Sequence, residues 1–355
     1  MFVRNCWYVA GWDKDLPPDE LIARTIINEP IVLYRTGDGS VVAFADRCCH
    51  RLAPLSQGRI EGDDLRCLYH GLKFDRTGRC IEIPGQESIP PSACVTSHPA
   101  VEKHSWIWVW MGDPALADAA LIPPVIGSDD PSWNLRRGLV NYEANYLLIN
   151  DNLTDFSHVA YLHRDSFVTS EQYARTRPSI TPLAHGLRVQ RWLTGPPRSD
   201  AEIPIHRRSD GEWWQTYDIV APGVLGMHTV TCPRGTADRF GRNAPDLGLF
   251  TPLAENFTSQ AVTPITDRTS RFYFSWGPRA GEGSDPIADD MLTVAYRAFS
   301  EDEQMIDGQQ KIIDMSPDVA MLNTSLDQGP NLMRSIIDRL LRAEGSKLGP
   351  LAAAE

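Results

Sequence analysis

Short apolar runs, broken every few residues by Gly, Asp and Thr, fill the first third of the chain. Residues 31–35 and 41–44 are two such runs, split by Thr36-Gly37-Asp38-Gly39-Ser40. Asp-Gly between apolar runs predicts a hairpin, because both residues tolerate the backbone angles of a tight turn. Residues 72–74 and 80–83 flank Asp75-Arg76-Thr77-Gly78-Arg79 in the same way. Trp106, Trp108 and Trp110 fall on alternate positions, which predicts a half-buried strand with its indoles packed on a sheet. Pro54 and Pro84-Gly85 predict shaped loops. Residues 1–112 therefore read as an all-β domain.

Residues 113–133 are rich in Pro, Ala and Asp and predict a linker. Beyond them, 187–193 and 271–276 alternate like strands. Residues 285–314 predict a long helix, and 332–343 a second one closed by Gly345. Strands followed by late helices give an α+β domain over 134–345. Residues 346–355 predict a flexible tail. No internal repeat is visible.

Composition narrows the class. At 355 residues with 42% hydrophobic content, the chain suits about two soluble domains. No run of eighteen apolar residues predicts a membrane span, and the first residues lack an export signal. The seven cysteines show no disulfide spacing, which fits a reduced, cytoplasmic setting. A net charge of −12 argues against a nucleic-acid binder, which wants a basic footprint.

The strongest chemical signal is Cys48-Cys49-His50, sixteen residues, then Cys67-Leu68-Tyr69-His70. Two mixed Cys/His pairs, spaced by one and two residues, form the ligand pattern of a Rieske [2Fe–2S] centre. Cys48 and Cys67 would take one iron, His50 and His70 the other. Imidazoles in place of two thiolates raise the reduction potential. The alternative is a Cys2His2 zinc site, but zinc fingers pair like with like at wider spacings. Cys49 is a bystander by spacing.

A second candidate centre lies in 150–163, which is helical in pattern and carries Asn152, Asp155, His158 and His163. At about 100° per residue, His158 and His163 lie about 140° apart on an ideal helix. They can share one ion only if the helix ends or bulges between them. In the late helix, Leu292, Ala295, Phe299, Asp302, Ile306, Gln309 and Ile313 follow core-facing steps of three and four. A carboxylate on that stripe needs a partner or a metal. The stripe selects Asp302 and leaves Glu301, Glu303 and Asp307 as solvated side chains. Two histidines and a carboxylate form a facial triad that leaves positions open on Fe(II).

These features together resemble the oxygenase components of Rieske non-haem iron oxygenases. The resemblance rests on Cys48-x-His50…Cys67-x2-His70, on Asn152-x2-Asp155-x2-His158-x4-His163 and on Asp302, and it covers nearly the whole chain. Asn5-Cys6-Trp7-Tyr8-Val9-Ala10, Pro54-Leu55-Ser56 and Pro84-Gly85-Gln86 narrow it to the group of vanillate O-demethylase, dicamba O-demethylase and toluenesulfonate methyl-monooxygenase. The region 165–260 matches less well.

The resemblance implies a two-domain α+β fold with a mononuclear iron and a Rieske cluster. It implies a separate NADH-dependent flavin and iron–sulfur reductase that supplies electrons to the cluster. It implies O2-dependent attack on a methyl or methoxy group of a small aromatic acid, such as toluenesulfonate or vanillate. It also implies a head-to-tail homotrimer, in which Asp155 bridges a cluster histidine of one subunit to an iron histidine of the next.

Two other readings stand beside this one. A cis-dihydroxylating arene dioxygenase uses the same ligands. A Rieske electron carrier needs only the first domain and leaves the second half unexplained. Candidates for the pocket are Asn152, His228, Trp276 and the run His206-Arg207-Arg208, where Arg could read an acid group. His98, His104 and His185 are expected to be structural or exposed.

Overall fold

The computed structural model describes residues 1–167, 171–194 and 211–345. His206-Arg207-Arg208 and the tail 346–355 lie outside the described residues. The chain divides into two compact units, and the division between Ile122 and Pro123 falls inside the 113–133 stretch.

The first unit holds residues 2–122 together with 263–266. It contains three small antiparallel sheets. One joins β1 (Cys6–Trp12), β11 (Trp106–Met111) and β10 (Ala100–Lys103), with β11 in the middle. Another runs in the order β2 (Ile22–Ile26), β3 (Glu29–Arg35), β4 (Val41–Ala45), β9 (Ser97–His98). The third is a meander of β5 (Arg59–Glu61), β6 (Asp64–Arg66), β7 (Lys73–Phe74) and β8 (Cys80–Glu82). The predicted hairpins form as β3–β4 and β7–β8.

Strand β11 departs from expectation: all six residues are buried, not every second one. Its position explains this. Ile107, Val109 and Met111 join a core with Tyr8, Ile31 and Leu33. The indoles of the other face meet those of β1, with Trp7–Trp110 centroids 5.4 Å apart and Trp12–Trp106 5.3 Å. The Trp110 and Trp7 N–H groups donate to the carbonyls of Asp113 and Asp118, so residues just past β11 return over it.

The second unit is built on a seven-stranded antiparallel sheet. Its order is β12 (Arg136–Tyr142), β18 (Ser270–Pro278), β17 (Ala254–Pro264), β16 (Val224–Cys232), β15 (Glu212–Val220), β14 (Gly186–Leu193) and β13 (Ser179–Pro182). Helix α1 (Tyr146–Thr154) follows β12, and short α2 (Gln172–Arg175) and α3 (Thr236–Arg239) lie in connections. The long helix α4 (Ser284–Met315) and α5 (Gln328–Ala343) close the chain, with Gly345 at φ +79° just beyond α5. A half-buried ion pair between Asp151 and Arg334 ties α1 to α5.

Phe299 and Tyr296 of α4 pack on Phe272 and Phe274 of β18. The predicted stripe is right at Ala295, Asp302 and Ile306, but Gln309 is exposed. Gln310 is buried instead and accepts the Asn145 backbone N–H at 3.0 Å. A helix turns every 3.6 residues, so a 3–4 stripe drifts and the last step becomes four.

Gly138 pairs with Phe274, and a Cβ there would lie 2.0 Å from the Phe274 ring. That ring is fully buried and packs on Phe299 at 4.7 Å, so it has nowhere to move. Gly138→Ala is expected to destabilise the second unit by about 1–3 kcal/mol through overpacking. Calorimetry should show its transition at lower temperature, while Leu139→Ala, at a half-open neighbour, shifts stability by under about 0.5 kcal/mol.

Candidate metal centres and substrate cavity

The two Cys/His loops share one backbone design. The Cys48 N–H donates to the Ala53 carbonyl and the Leu52 N–H returns to that of Cys48. The Cys67 N–H donates to Leu72 and the Gly71 N–H returns to Cys67. The turn in each loop uses a left-handed residue, Leu52 at φ +58° and Gly71 at φ +79°. Gly71 also leaves room for Pro84, whose Cγ lies 2.8 Å from where a Cβ would sit. Pro84 therefore shapes the second loop, as expected.

Both thiols point inward. Cys48 and Cys67 are 2% exposed and join a core with Phe44, Leu65, Leu72 and Phe74. Burial pushes the Cys48 thiol up to about 12, and the neighbouring Cys67 adds to this. Two thiolates side by side in such a core need a cation between them. His50 and His70 lie outward, both exposed, with ring centroids 4.6 Å apart. Two inner sulfurs and two outer imidazoles suit a two-iron cluster.

The second centre begins where α1 ends. The helix stops at Thr154, before His158, rather than between the histidines of a continuous helix. Asp155 breaks it with an extended backbone, φ −132° and ψ 102°, and its carboxylate accepts the Ser157 N–H at 2.8 Å. A 3-10 turn, Phe156–Ala160, carries His158 and ends before His163. The two imidazoles thereby face each other, with centroids 5.2 Å apart.

Asp302 of α4 completes the group. Its Oδ1 lies 3.2 Å from His163 Nε2 and 3.7 Å from His158 Nε2. The three residues could hold one metal ion, their ligand atoms all lying within 4.8 Å of one another. Asn152 donates to Asp302 Oδ1 at 2.8 Å and lies 3.4 Å from His158 Nε2. Burial holds the His158 pKa below its ordinary value, which favours the neutral ligand form. Burial also opposes a charge on His163, but bonds to Asp302 and Glu301 outweigh it and raise its pKa. Two imidazole Nε2 atoms and one carboxylate oxygen are a donor set for Fe(II) with open positions, the ion taking the place of a proton on His163.

The group opens on a cavity of about 310 Å³. Phe156, Phe167, Trp213, Trp276 and Phe299 give it aromatic walls. Gln215, Asn256 and Gln260 supply polar points.

Residues 6–99 match the Rieske [2Fe-2S] domain family, and residues 142–343 match the vanillate O-demethylase oxygenase C-terminal domain family. The chain is an oxygenase component of the Rieske non-haem iron family. It is 40% identical to the iron-sulfur subunit of the toluene-4-sulfonate monooxygenase system of Comamonas testosteroni, over 99% of this chain and 100% of that protein. It is 31% identical to a vanillate O-demethylase oxygenase subunit of a Pseudomonas species, over 97% and 96% of the two chains. Among solved structures, dicamba monooxygenase with non-heme iron and dicamba superposes with a TM-score of 0.80 at 27% identity, covering 97% of this chain and 98% of that one.

Within this Rieske oxygenase the expected residues have separate fates. Asn152 and Trp276 line the cavity. Trp276 donates to Asn256 at 2.9 Å. His228 stands behind the wall, bonded at 2.8 Å to Glu255, which does line it. The Asp155 carboxylate is engaged by Ser157, and its backbone carbonyl lies 2.6 Å from His158 Nδ1. His98 is buried, His104 lies half-buried in a turn and His185 is exposed.

Glu301 corrects the sequence reading. It is not simply solvated: its Oε2 lies 2.9 Å from His163 Nδ1 and accepts the buried Ser166 hydroxyl at 2.7 Å. The available signal was that a ligand imidazole needs a partner for its second nitrogen. Removing that partner frees the ring to turn. Glu301→Ala is expected to weaken iron binding about 10–100-fold, and Glu301→Gln less. Chelator competition on the second iron reads this directly, with the visible spectrum of the Rieske cluster as internal control.

Proposed function

We propose that this oxygenase hydroxylates, or oxidatively demethylates, a methyl or methoxy group of a small aromatic acid such as toluenesulfonate or vanillate. Cys48, His50, Cys67 and His70 would hold the [2Fe–2S] cluster, and His158, His163 and Asp302 the mononuclear Fe(II). The observation that carries the reading is the placement of this buried three-residue group in the wall of an aromatic-lined cavity. Iron bound there supplies O2 activation, with electrons delivered from the cluster.

The chain's own residues do the rest. The aromatic walls hold a flat ring and exclude water, which prevents reducing equivalents from being lost to solvent. Asn152 borders Asp302 and His158 and fixes the carboxylate. Outer imidazoles beside exposed Leu52, Leu68 and Tyr69 support a docking end at the cluster, where a reductase or another subunit receives or gives electrons.

Oxygenase components of multicomponent systems work with a separate reductase, and here it would be an NADH-dependent flavin and iron–sulfur protein. Exposed Met305, Ile312, Met315, Val319 and Leu322 support an association face, consistent with a homotrimer. Asp155 would then bridge cluster and iron histidines of adjacent subunits. None of the seven cysteines forms a disulfide, which supports a cytoplasmic setting.

The test is turnover with reductase, NADH and aromatic acids bearing methoxy, methyl or no substituent, scoring formaldehyde and organic product together. Formaldehyde matched to a phenol, or a benzylic alcohol without formaldehyde, agrees with the proposal; a ring cis-diol replaces it with dioxygenation. His158→Ala should lose the second iron and all turnover yet keep the Rieske spectrum, whereas a pure electron carrier would lose nothing. Asp155→Asn should keep both metals and lose turnover; a normal rate would remove Asp155 from electron transfer.

A further inference from the structure

One row of side chains crosses the cavity face of the sheet. Arg191 of β14 pairs with Gln215 of β15, Gln215 with Thr229 of β16, and Thr229 with Asn256 of β17. Gln215, Thr229 and Asn256 line the cavity. Arg191 lies at the end of the row and is 5% exposed. Its guanidinium packs over Phe156 at 5.6 Å and Tyr173 at 5.5 Å, both cavity residues.

Three atoms in this corner have no hydrogen-bond partner: Arg191 Nε, Gln215 Oε1 and the Tyr217 hydroxyl. All three residues are at least nine-tenths buried. No described carboxylate forms an ion pair with Arg191. The Tyr217 hydroxyl lies near it, but that group is neutral. A buried guanidinium without an anion is costly, and two aromatic faces offset only part of that. The corner is short of one negative charge.

We infer that this corner, Gln215 backed by Arg191, is the anchor for the carboxylate or sulfonate of the substrate. The two ends of a Gln amide are interchangeable in placement. With Oε1 turned toward Arg191 Nε–H, the Gln215 amide N–H groups donate into the cavity. Arg191 Nε and Gln215 Oε1 are then satisfied, and the charge of Arg191 reaches the acid through one amide. Phe156 separates Arg191 from His158, whose ring centroid is 6.2 Å from its own. An acid held here leaves the far end of a single aromatic ring beside His158 and Asp302. The anchor selects an acid with its reactive group across the ring. The inference rests on this cavity being the substrate site.

The test is calorimetric binding to the metal-loaded enzyme, with toluene-4-sulfonate, 4-methoxybenzoate and the neutral 4-methoxybenzamide as probes. Wild type should bind the acids at least tenfold more tightly than the amide. Gln215→Leu and Arg191→Met should each weaken the acids tenfold or more and the amide less than threefold. Arg191→Lys, which keeps the charge and loses the fork, should fall between. Equal binding of acid and amide by wild type, or an unchanged acid-to-amide ratio in the variants, overturns the anchor. If Arg191→Met fails to fold, Gln215→Leu and Arg191→Lys decide the matter. Turnover of the bound acids by wild type is scored separately: tight, Arg191-dependent binding without product would sink the reaction and leave the anchor standing.

Discussion

A carboxylate buried to 4% exposure, facing two imidazoles and an amide, is stable only with positive charge among them. Asp302 is in that position, and the second unit is arranged to keep it there. Its partners come from a turn about 140 residues earlier in the chain. What brings the two together is packing of α4 on β18, where Phe299 sits against Phe272 and Phe274. Gly138 makes room for one of those rings. The metal geometry is therefore set by sheet packing, not by the ligands.

The two centres solve opposite problems with the same residue types. In the first unit the thiols are inside and the imidazoles outside, so a cluster there exposes its histidine edge. That edge suits electron entry and exit over short distances. In the second unit His163 and Asp302 are buried and only His158 is partly open, toward the cavity. That arrangement suits chemistry that water would spoil. The α+β architecture separates the two tasks into two compact units.

Much of this was legible in the sequence where chemistry and spacing are local. Four ligands in two short pairs define the first centre without any knowledge of packing. His158 and His163 were visible as a pair that no regular helix could use, and Asp155 supplies the break. The stripe found Asp302 but slipped at Gln309, because small errors in helical period accumulate over a helix of 32 residues. β11 is harder to read, because alternation of indoles looks the same whether the opposite face meets water or Ile31 and Leu33. Glu301 falls outside the stripe because neighbours on a helix point about 100° apart. Yet His163 approaches from the side, so Glu301 and Asp302 grip its two nitrogens from one helix.

The cavity wall was illegible for a different reason. Each strand contributes one residue per row, so Arg191, Gln215, Thr229 and Asn256 are neighbours in space and strangers in sequence. No window of the chain contains two of them at a telling spacing. Such a wall can change one residue at a time without disturbing ligands that lie on α4 and the 3-10 turn. The metal centre is held by helix packing and loop turns, whereas the substrate is read by the open face of the sheet. A region that lines the pocket can therefore change while the ligand residues on α4 and the 3-10 turn stay in place.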